Sequence, residues 1–227
     1  MEKEKIPNNL DNNKYSSKYT SSKDNYISKI KNMFAKIIEK NNLNNEIKSL
    51  LVNIPNFDSK IIFQEIDSNQ KGYINSLDLV TYLKKYSNNY NEQIIRRFIQ
   101  QYDKHSHFKL TYDDFNSIII PNNKVENVGK NSDNDIDKNE LFNKILNNEF
   151  QLIIMINQMI IDIKKCDNFI TYEAFISISN NEKNIDKNSM KEFLDDKYDN
   201  NDINFLIYYL DMNNDGLISY DEFENFL

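Results

Sequence analysis

The chain has 227 residues, of which 39% are hydrophobic and 28% are charged, and its formal net charge is −7. This length and composition predict a folded protein with a buried core. The acidic balance argues against nucleic acid as a main partner, because phosphate binding needs a clustered basic face. The chain has only 3 Gly and 3 Pro. So few turn formers argue against sandwich and propeller folds and against glycine-rich phosphate loops, and they favour an all-α protein.

Cysteine use and targeting features predict a cytoplasmic protein. The single cysteine, Cys166, excludes an internal disulfide and is typical of a reducing compartment. No apolar secretory leader is visible at the N-terminus, and the longest apolar stretch, 150–163, is too short to cross a bilayer. We therefore expect no membrane insertion. We also expect no enzyme, because both histidines lie in one loop and no nucleophile–base pair is visible.

The first part of the chain divides into a tail and two helices. Residues 1–24 are polar and have no apolar periodicity, which predicts a disordered tail. Apolar residues recur every three or four positions over 26–38, as in an amphipathic helix. A second short helix is expected over 46–53, because Pro55 closes it.

A repeated unit follows within residues 25–120. It consists of a helix, a twelve-residue polar loop and another helix. The unit occurs twice, with loop 1 at Asp67–Asp78 and loop 2 at Asp103–Asp114. Residues 25–120 are therefore predicted to form an N-terminal lobe with two paired loops.

A polar linker over 121–137 and a long helix over Lys138–Lys165 are predicted next. The stretch Phe150–Ile163 is apolar on nearly all sides, which indicates a helix buried against several partners. Two interpretations stay open for it. It could occupy the apolar groove of one lobe as an internal target, or it could be a core helix between the lobes.

The segment Asp211–Glu222, loop 4, reads DMNNDGLISYDE. A calcium ion takes about seven oxygen ligands, and a twelve-residue loop supplies them from positions 1, 3, 5, 7, 9 and 12, with a backbone carbonyl at 7 and a bidentate carboxylate at 12. Gly216 at position 6 allows the chain to reverse. The predicted ligands at these positions are Asp211, Asn213, Asp215, Leu217, Ser219 and Glu222.

On these residues the chain resembles the EF-hand superfamily, in particular its calmodulin-like and centrin-like proteins. The resemblance covers residues 57–227 and is most specific at Asp211–Glu222. It implies an all-α fold with two lobes of paired EF-hand loops. It also implies calcium binding and, in many members, regulated binding of a partner helix.

Loop 1 reads DSNQKGYINSLD and departs from the pattern at two positions. Lys71 places a cation at position 5, where the metal needs an oxygen. Asp78 at position 12 is one methylene shorter than Glu, which makes bidentate reach doubtful. We expect a structural loop here, with a second, weak calcium site at Asp67–Asp78 as the alternative.

Loop 2 departs further, with His105, His107 and Phe108 at positions 3, 5 and 6. Imidazole is a poor calcium ligand, and Phe is a poor residue for the reversed turn. We expect a metal-free loop. A zinc site made by Asp103 and the two histidines is the alternative, although no fourth ligand is evident.

The partner of loop 4 is predicted at 178–189, loop 3, with Ile185 at position 8. Ser189 stands at position 12, so this vestigial loop is expected to bind no calcium. Residues 138–227 thus form the long helix and a C-terminal lobe. Together these features predict two paired EF-hand lobes joined by a linker and a long buried helix.

Two functions follow from this architecture. The first is a calcium-responsive regulator that binds a protein partner through an amphipathic helix. The second is a constitutive scaffolding subunit of a cytoskeletal assembly, in which one calcium ion only stabilises the fold.

Overall fold

The computed structural model describes residues 12–86, 90–103, 105, 107–121 and 137–227, with side chains from Lys23 onward. The described residues form helices and two isolated β-bridges, and they contain no extended β-strand. The helices are α1 (Asn12–Val52), α2 (Ser59–Ile66), α3 (Ser76–Lys85), α4 (Glu92–Tyr102), α5 (Tyr112–Ile119), α6 (Lys138–Lys164), α7 (Thr171–Ser179), α8 (Lys187–Phe193), α9 (Asn200–Leu210) and α10 (Tyr220–Phe226). The all-α prediction is confirmed.

Helices α1 and α6 form an antiparallel pair on which both lobes are built. Lys29 of α1 donates a hydrogen bond to the carbonyl of Asp162 at 3.2 Å, and Asn44, further along α1, donates to Glu149 at 2.7 Å. The 41 residues of α1 span about 60 Å at the α-helical rise. One end of this pair therefore reaches the N-terminal lobe and the other end reaches the C-terminal lobe.

The N-terminal lobe, helices α2–α5, closes around the first half of α6. The Phe142 ring is fully buried and lies 6.0 Å from the Tyr82 ring and 5.5 Å from the Phe115 ring. Phe150 lies about two helical turns further along α6. Its ring centroid is 5.1 Å from that of Phe98. The apolar interior of this lobe is thus filled by side chains of α6.

The C-terminal lobe, helices α7–α10, closes mainly around α1. Phe34 is fully buried between Phe193 of α8 and Phe226 of α10, with ring centroids 6.2 and 6.4 Å away. Lys31 pairs with Asp195 beside this contact at 2.6 Å. The second half of α6 completes the same core, since Ile156 and neighbouring residues bury there.

The Phe150–Ile163 stretch is therefore shared between two cores. Phe150 and Ile153 belong to the N-terminal core, whereas Ile156 and Ile163 belong to the C-terminal core. The stretch is not enclosed on all sides, because Ile161 keeps 46% of its surface exposed.

Among the helices of the described part, none has the length and apolar character that crossing a membrane requires.

Helix α1 differs from the prediction for the same residues. It includes residues 12–24, which were assigned to a disordered tail, and it runs without a break through 39–45, where two helices were expected to separate. Once the packed segment 26–38 forms a helix, each further residue extends it at little cost, even without apolar periodicity. The other part of the predicted tail, 1–11, and nearly all of the predicted linker, 122–136, lie outside the described residues.

A buried polar cluster lies where α1 and α6 meet the two lobes. Lys48 and Glu149 are 2% and 5% exposed, respectively. Burial lowers the pKa of Lys48, and the negative charge of Glu149 opposes this shift. Burial, with the charge of Glu149 as a further cause, raises the pKa of Tyr102 in α4 and of Tyr209 in α9. Glu149 therefore faces groups from both lobes.

Candidate metal centre

Loop 4 connects α9 to α10 and contains the predicted calcium ligands. Helix α9 ends where Asp211 caps it, with the Asp211 amide donating to Ile207 at 2.9 Å. The chain then reverses at Gly216, whose φ is +83°. A Cβ at Gly216 would meet no atom within 4 Å, so the left-handed backbone conformation, not space, requires glycine there.

Backbone amides hold the side chains of the first half of loop 4 in place. Asp211 accepts hydrogen bonds from the amides of Asn214 and Gly216 at 2.7 and 2.8 Å. Asn213 accepts a hydrogen bond from the amide of Asp215 at 2.8 Å. Asp215 in turn accepts one from the backbone amide of Leu217, two residues further along, at 2.9 Å. Each of these oxygens accepts only one such bond, which leaves a lone pair for a cation.

Glu222 at position 12 is buried and makes four hydrogen bonds. One carboxylate oxygen accepts from the amides of Met212 and Asn213 at 2.9 and 3.1 Å. The other accepts from the amide and the hydroxyl of Ser219, both at 2.8 Å. A carboxylate has about four acceptor sites, so Glu222 has none left over. To serve as a bidentate ligand it must give up some of these bonds.

These residues fit a calcium ion by their donor chemistry. The six predicted ligands offer carboxylate, amide, carbonyl and hydroxyl oxygens, and three of them carry a negative charge, which is the hard-oxygen set that calcium takes. No three His, Cys, Asp or Glu side chains within the described ranges are already gathered into a metal cluster.

The acid titration of Glu222 should affect stability in calcium-free buffer. Burial acts to raise its pKa, but hydrogen bonds from Ser219, Asn213 and Met212 outweigh burial, and the pKa lies below the ordinary 4.5. A lowered native pKa stabilises the fold above 4.5, and this contribution is lost as the pH falls through the native value. Urea midpoints of wild type and Glu222→Gln should therefore converge as the pH falls below 4.5. A difference between them that is constant with pH would contradict this.

Loop 3 pairs with loop 4 through Ile185 and Ile218. Their amides and carbonyls exchange two hydrogen bonds of 2.9 Å in an antiparallel bridge, and both side chains are fully buried. This is the contact that the assignment of Ile185 to position 8 predicts. Loop 3 thus supports loop 4 structurally.

All four loops share a capping box that the sequence interpretation did not use. In each loop, the position-9 side chain caps the exiting helix. The position-12 side chain accepts a hydrogen bond from the position-9 amide. The signal is visible in the sequence as Ser, Thr, Asp or Asn followed three residues later by an acidic residue or Ser. The pairs are Asn75–Asp78, Thr111–Asp114, Asp186–Ser189 and Ser219–Glu222.

Loop 1 repeats the backbone frame of loop 4 with two differences. Asp67 accepts from the amide of Gly72 at 2.7 Å, and Gly72 has a φ of +79°. The first difference is the shorter Asp78 at position 12, and the second is Lys71, whose ammonium lies 2.5 Å from the carboxylate of Asp78. The position-12 carboxylate of this loop thus already has a cationic partner.

Loop 2 keeps the shape of the unit without its ligands. Leu110 forms a bridge with Ile74 of loop 1 through hydrogen bonds of 2.8 and 2.9 Å. The rings of His105 and His107 are 6.2 Å apart, centroid to centroid, and the carboxylate of Asp103 accepts from the His105 amide. In the described residues this loop does not gather a three-ligand zinc site.

Phe108 at position 6 of loop 2 is expected to destabilise the fold. Its φ is +53°, a region that costs a residue with a Cβ about 1–2 kcal/mol. Its side chain is 59% exposed, so little packing is lost on its removal. Phe108→Gly should therefore stabilise the protein by about 1 kcal/mol and raise Tm by about 2–4 °C in a thermal melt. Phe108→Ala, which keeps the Cβ, should not. Equal melts for both variants would refute the conformational argument.

Comparison with known proteins agrees with this geometry. A family model described as an EF-hand domain pair matches residues 43–86, and a model described as an EF hand matches residues 206–227. The first match contains loop 1 and the second contains loop 4 with α10. The comparison with curated proteins gave no match. EF-hand domains indicate calcium binding, and the two matched segments support an EF-hand protein.

Proposed function

We propose that the protein is a calcium-responsive regulator in which loop 4 controls how firmly the C-terminal lobe holds α1. The observation that carries this proposal is the contact of Phe34 with Phe226. Phe226 lies one helical turn beyond Glu222 in α10. A displacement of Glu222 therefore reaches the surface of α1 through a single short helix.

The hydrogen bonds of Glu222 support a displacement. Its carboxylate is saturated by loop donors, and two of these donors, Met212 and Asn213, lie at the opposite end of the loop. Exchanging these bonds for a bidentate role changes where the first turn of α10 sits relative to Asp211. Buried Phe223, in the same turn, moves with it.

The α1 segment 26–38 indicates what kind of partner would fit. It presents apolar side chains to the C-terminal core at helical spacing, with Phe34 as the most enclosed aromatic anchor. A basic residue beside the anchor, Lys31, pairs with Asp195 on the lobe. We propose that the protein partner is an amphipathic helix with an aromatic anchor and a neighbouring basic residue, which competes with α1 for the lobe.

Amide hydrogen exchange on the full chain tests this proposal. Calcium should change the protection of residues 26–38 in wild type, and the change should disappear in Glu222→Gln. Glu224→Gln is the matched control, since Glu224 lies on the same helix and is exposed, with its hydrogen bond to Tyr220 outside the ligand set. Unchanged exchange over 26–38 at saturating calcium would contradict the switch.

A scaffolding role is the second candidate, and one observation favours it. Both lobes already have their apolar interiors filled by α1 and α6, and the chain uses 14 Phe and 14 Tyr but only 6 Met. Aromatic cores of this kind are less adaptable than methionine-rich grooves. For a scaffold, calcium should raise Tm while leaving the pattern of exchange along α1 unchanged.

A further inference from the structure

We infer that loop 1 carries its own cation: the ammonium of Lys71 occupies the carboxylate that would otherwise hold a metal, so the N-terminal lobe does not respond to calcium. This inference does not depend on the proposed regulatory function, because it concerns the other lobe. It assigns the two lobes different tasks.

Loops 1 and 4 share two hydrogen bonds of one backbone frame. The position-1 carboxylate accepts from the position-6 glycine amide at 2.7 Å in loop 1 and 2.8 Å in loop 4. The position-12 carboxylate accepts from the position-9 amide at 2.8 Å in both loops. These two parts of the frame that arranges cation ligands are therefore present in loop 1.

A lysine side chain lies within the frame of loop 1. Lys71 stands at position 5, the place of ligand Asp215 in loop 4, and its ammonium reaches across the loop to Asp78 at 2.5 Å. The Lys71 side chain is 24% exposed and the Asp78 side chain 8%. The ammonium also lies 5.1 Å from the ring centre of Tyr73, within cation–π distance. Lys71 is thus held by a buried carboxylate and by an aromatic ring of the same loop.

Loops 1 and 4 also differ in the charge of their ligand positions. Loop 4 offers three ligand carboxylates, whereas loop 1 offers two carboxylates and one ammonium within the same twelve residues. EF-hand affinity for calcium depends on the charge of the ligands, so the ammonium inside loop 1 opposes calcium binding in two ways. It removes an oxygen ligand, and it neutralises the position-12 carboxylate.

A division of labour follows. The bridge between Ile74 and Leu110 links loop 1 to loop 2, and the helices of both loops hold Phe142 and Phe150 of α6. Because the ammonium is part of the chain, the packing of this lobe against α6 does not change with calcium concentration. The N-terminal lobe therefore holds α6 in the same way with and without calcium.

Lys71→Asp in the full chain tests the inference directly. The change removes the ammonium and adds an oxygen ligand at position 5. Calorimetric titration should then show one more calcium site than wild type. Terbium emission sensitised by Tyr73, at position 7, should appear in Lys71→Asp and be lost again in Lys71→Asp/Tyr73→Phe.

Two further variants separate the internal cation from general effects of charge. Lys71→Met removes the ammonium without adding a ligand, so it should lower the calcium-free Tm without gaining a calcium site. Lys109→Met is the matched control: the Lys109 ammonium lies 4.9 Å from the same Tyr73 ring but is not paired with Asp78 in the described structure. It should leave both Tm and stoichiometry close to wild type.

Wild-type protein provides a test that does not depend on the folding of any Lys71 variant. Terbium emission of the wild-type chain should be unaffected by Tyr73→Phe, because no ion enters loop 1. Loss of emission in that single variant would overturn the inference. It would also be overturned if wild type bound a calcium ion in loop 1 with an affinity similar to that of Lys71→Asp.

Discussion

Replacing Glu222 with Gln should raise the calcium Kd of loop 4 by about two orders of magnitude, because EF-hand affinity follows the number of ligand charges and the bidentate position 12. The substitution keeps the size of the side chain and one oxygen, so the fold should persist. The capping bond from the Ser219 amide can still form with the remaining oxygen. Calorimetric titration of the full chain with calcium measures the change.

The control for this prediction is Glu224→Gln. It alters the same charge two residues further along α10, at an exposed position whose partner is Tyr220. Its Kd should stay within a factor of about two of wild type, since a single exposed charge contributes little. If both variants lost affinity equally, general electrostatics and not ligation by Glu222 would explain the effect.

The loops were predictable because their information is local. Gly72 and Gly216 both stand at position 6, and both adopt the positive φ that the loop requires. The pairing of Ile185 with Ile218 follows from a spacing that can be counted along the chain. A twelve-residue loop with a glycine at its one positive-φ position can be predicted from sequence alone. The place of each predicted ligand depends only on residues nearby in the chain.

The occupancy of the lobes was not predictable in the same way. Phe34 packing between Phe193 and Phe226 joins residues about 160 to 190 positions apart, and no local pattern encodes such a contact. The polar middle of α1 carries no pattern that indicates burial, yet Asn44 and Lys48 are each only 2% exposed. Polar residues can be buried when another element supplies their partners, and here α6 supplies Glu149.

This cluster brings together charged groups beside both lobes. Lys48 lies on α1 and Glu149 on α6, while Tyr102 and Tyr209 lie in the last turns of the helices that lead into loop 2 and loop 4. Burial raises the pKa of both tyrosines, and the charge of Glu149 adds to this shift. A buried charge in such a position is retained at a cost unless its neighbours compensate it.

Neutralising either member of this cluster should therefore destabilise the protein strongly. Glu149→Gln keeps an acceptor for Asn44 but leaves Lys48 buried without its counter-charge, and Lys48→Met leaves Glu149 in the converse position. Within the described residues the two charges form no contact ion pair, so we expect each single variant to cost about 2 kcal/mol, less than a broken buried salt bridge. Urea unfolding monitored by circular dichroism measures this.

The double variant Lys48→Met/Glu149→Gln decides whether charge is the cause. With both charges gone, the loss should be smaller than the sum of the single losses by about 1–3 kcal/mol. The control cycle is Lys144→Met/Glu140→Gln, which removes an exposed pair on the same α6 helix, 2.8 Å apart. That pair should show a coupling of about 0.5 kcal/mol or less, because water screens it. If the buried cycle were as weakly coupled as the exposed one, Lys48 and Glu149 would act through packing alone, and the cluster would not connect the lobes electrostatically.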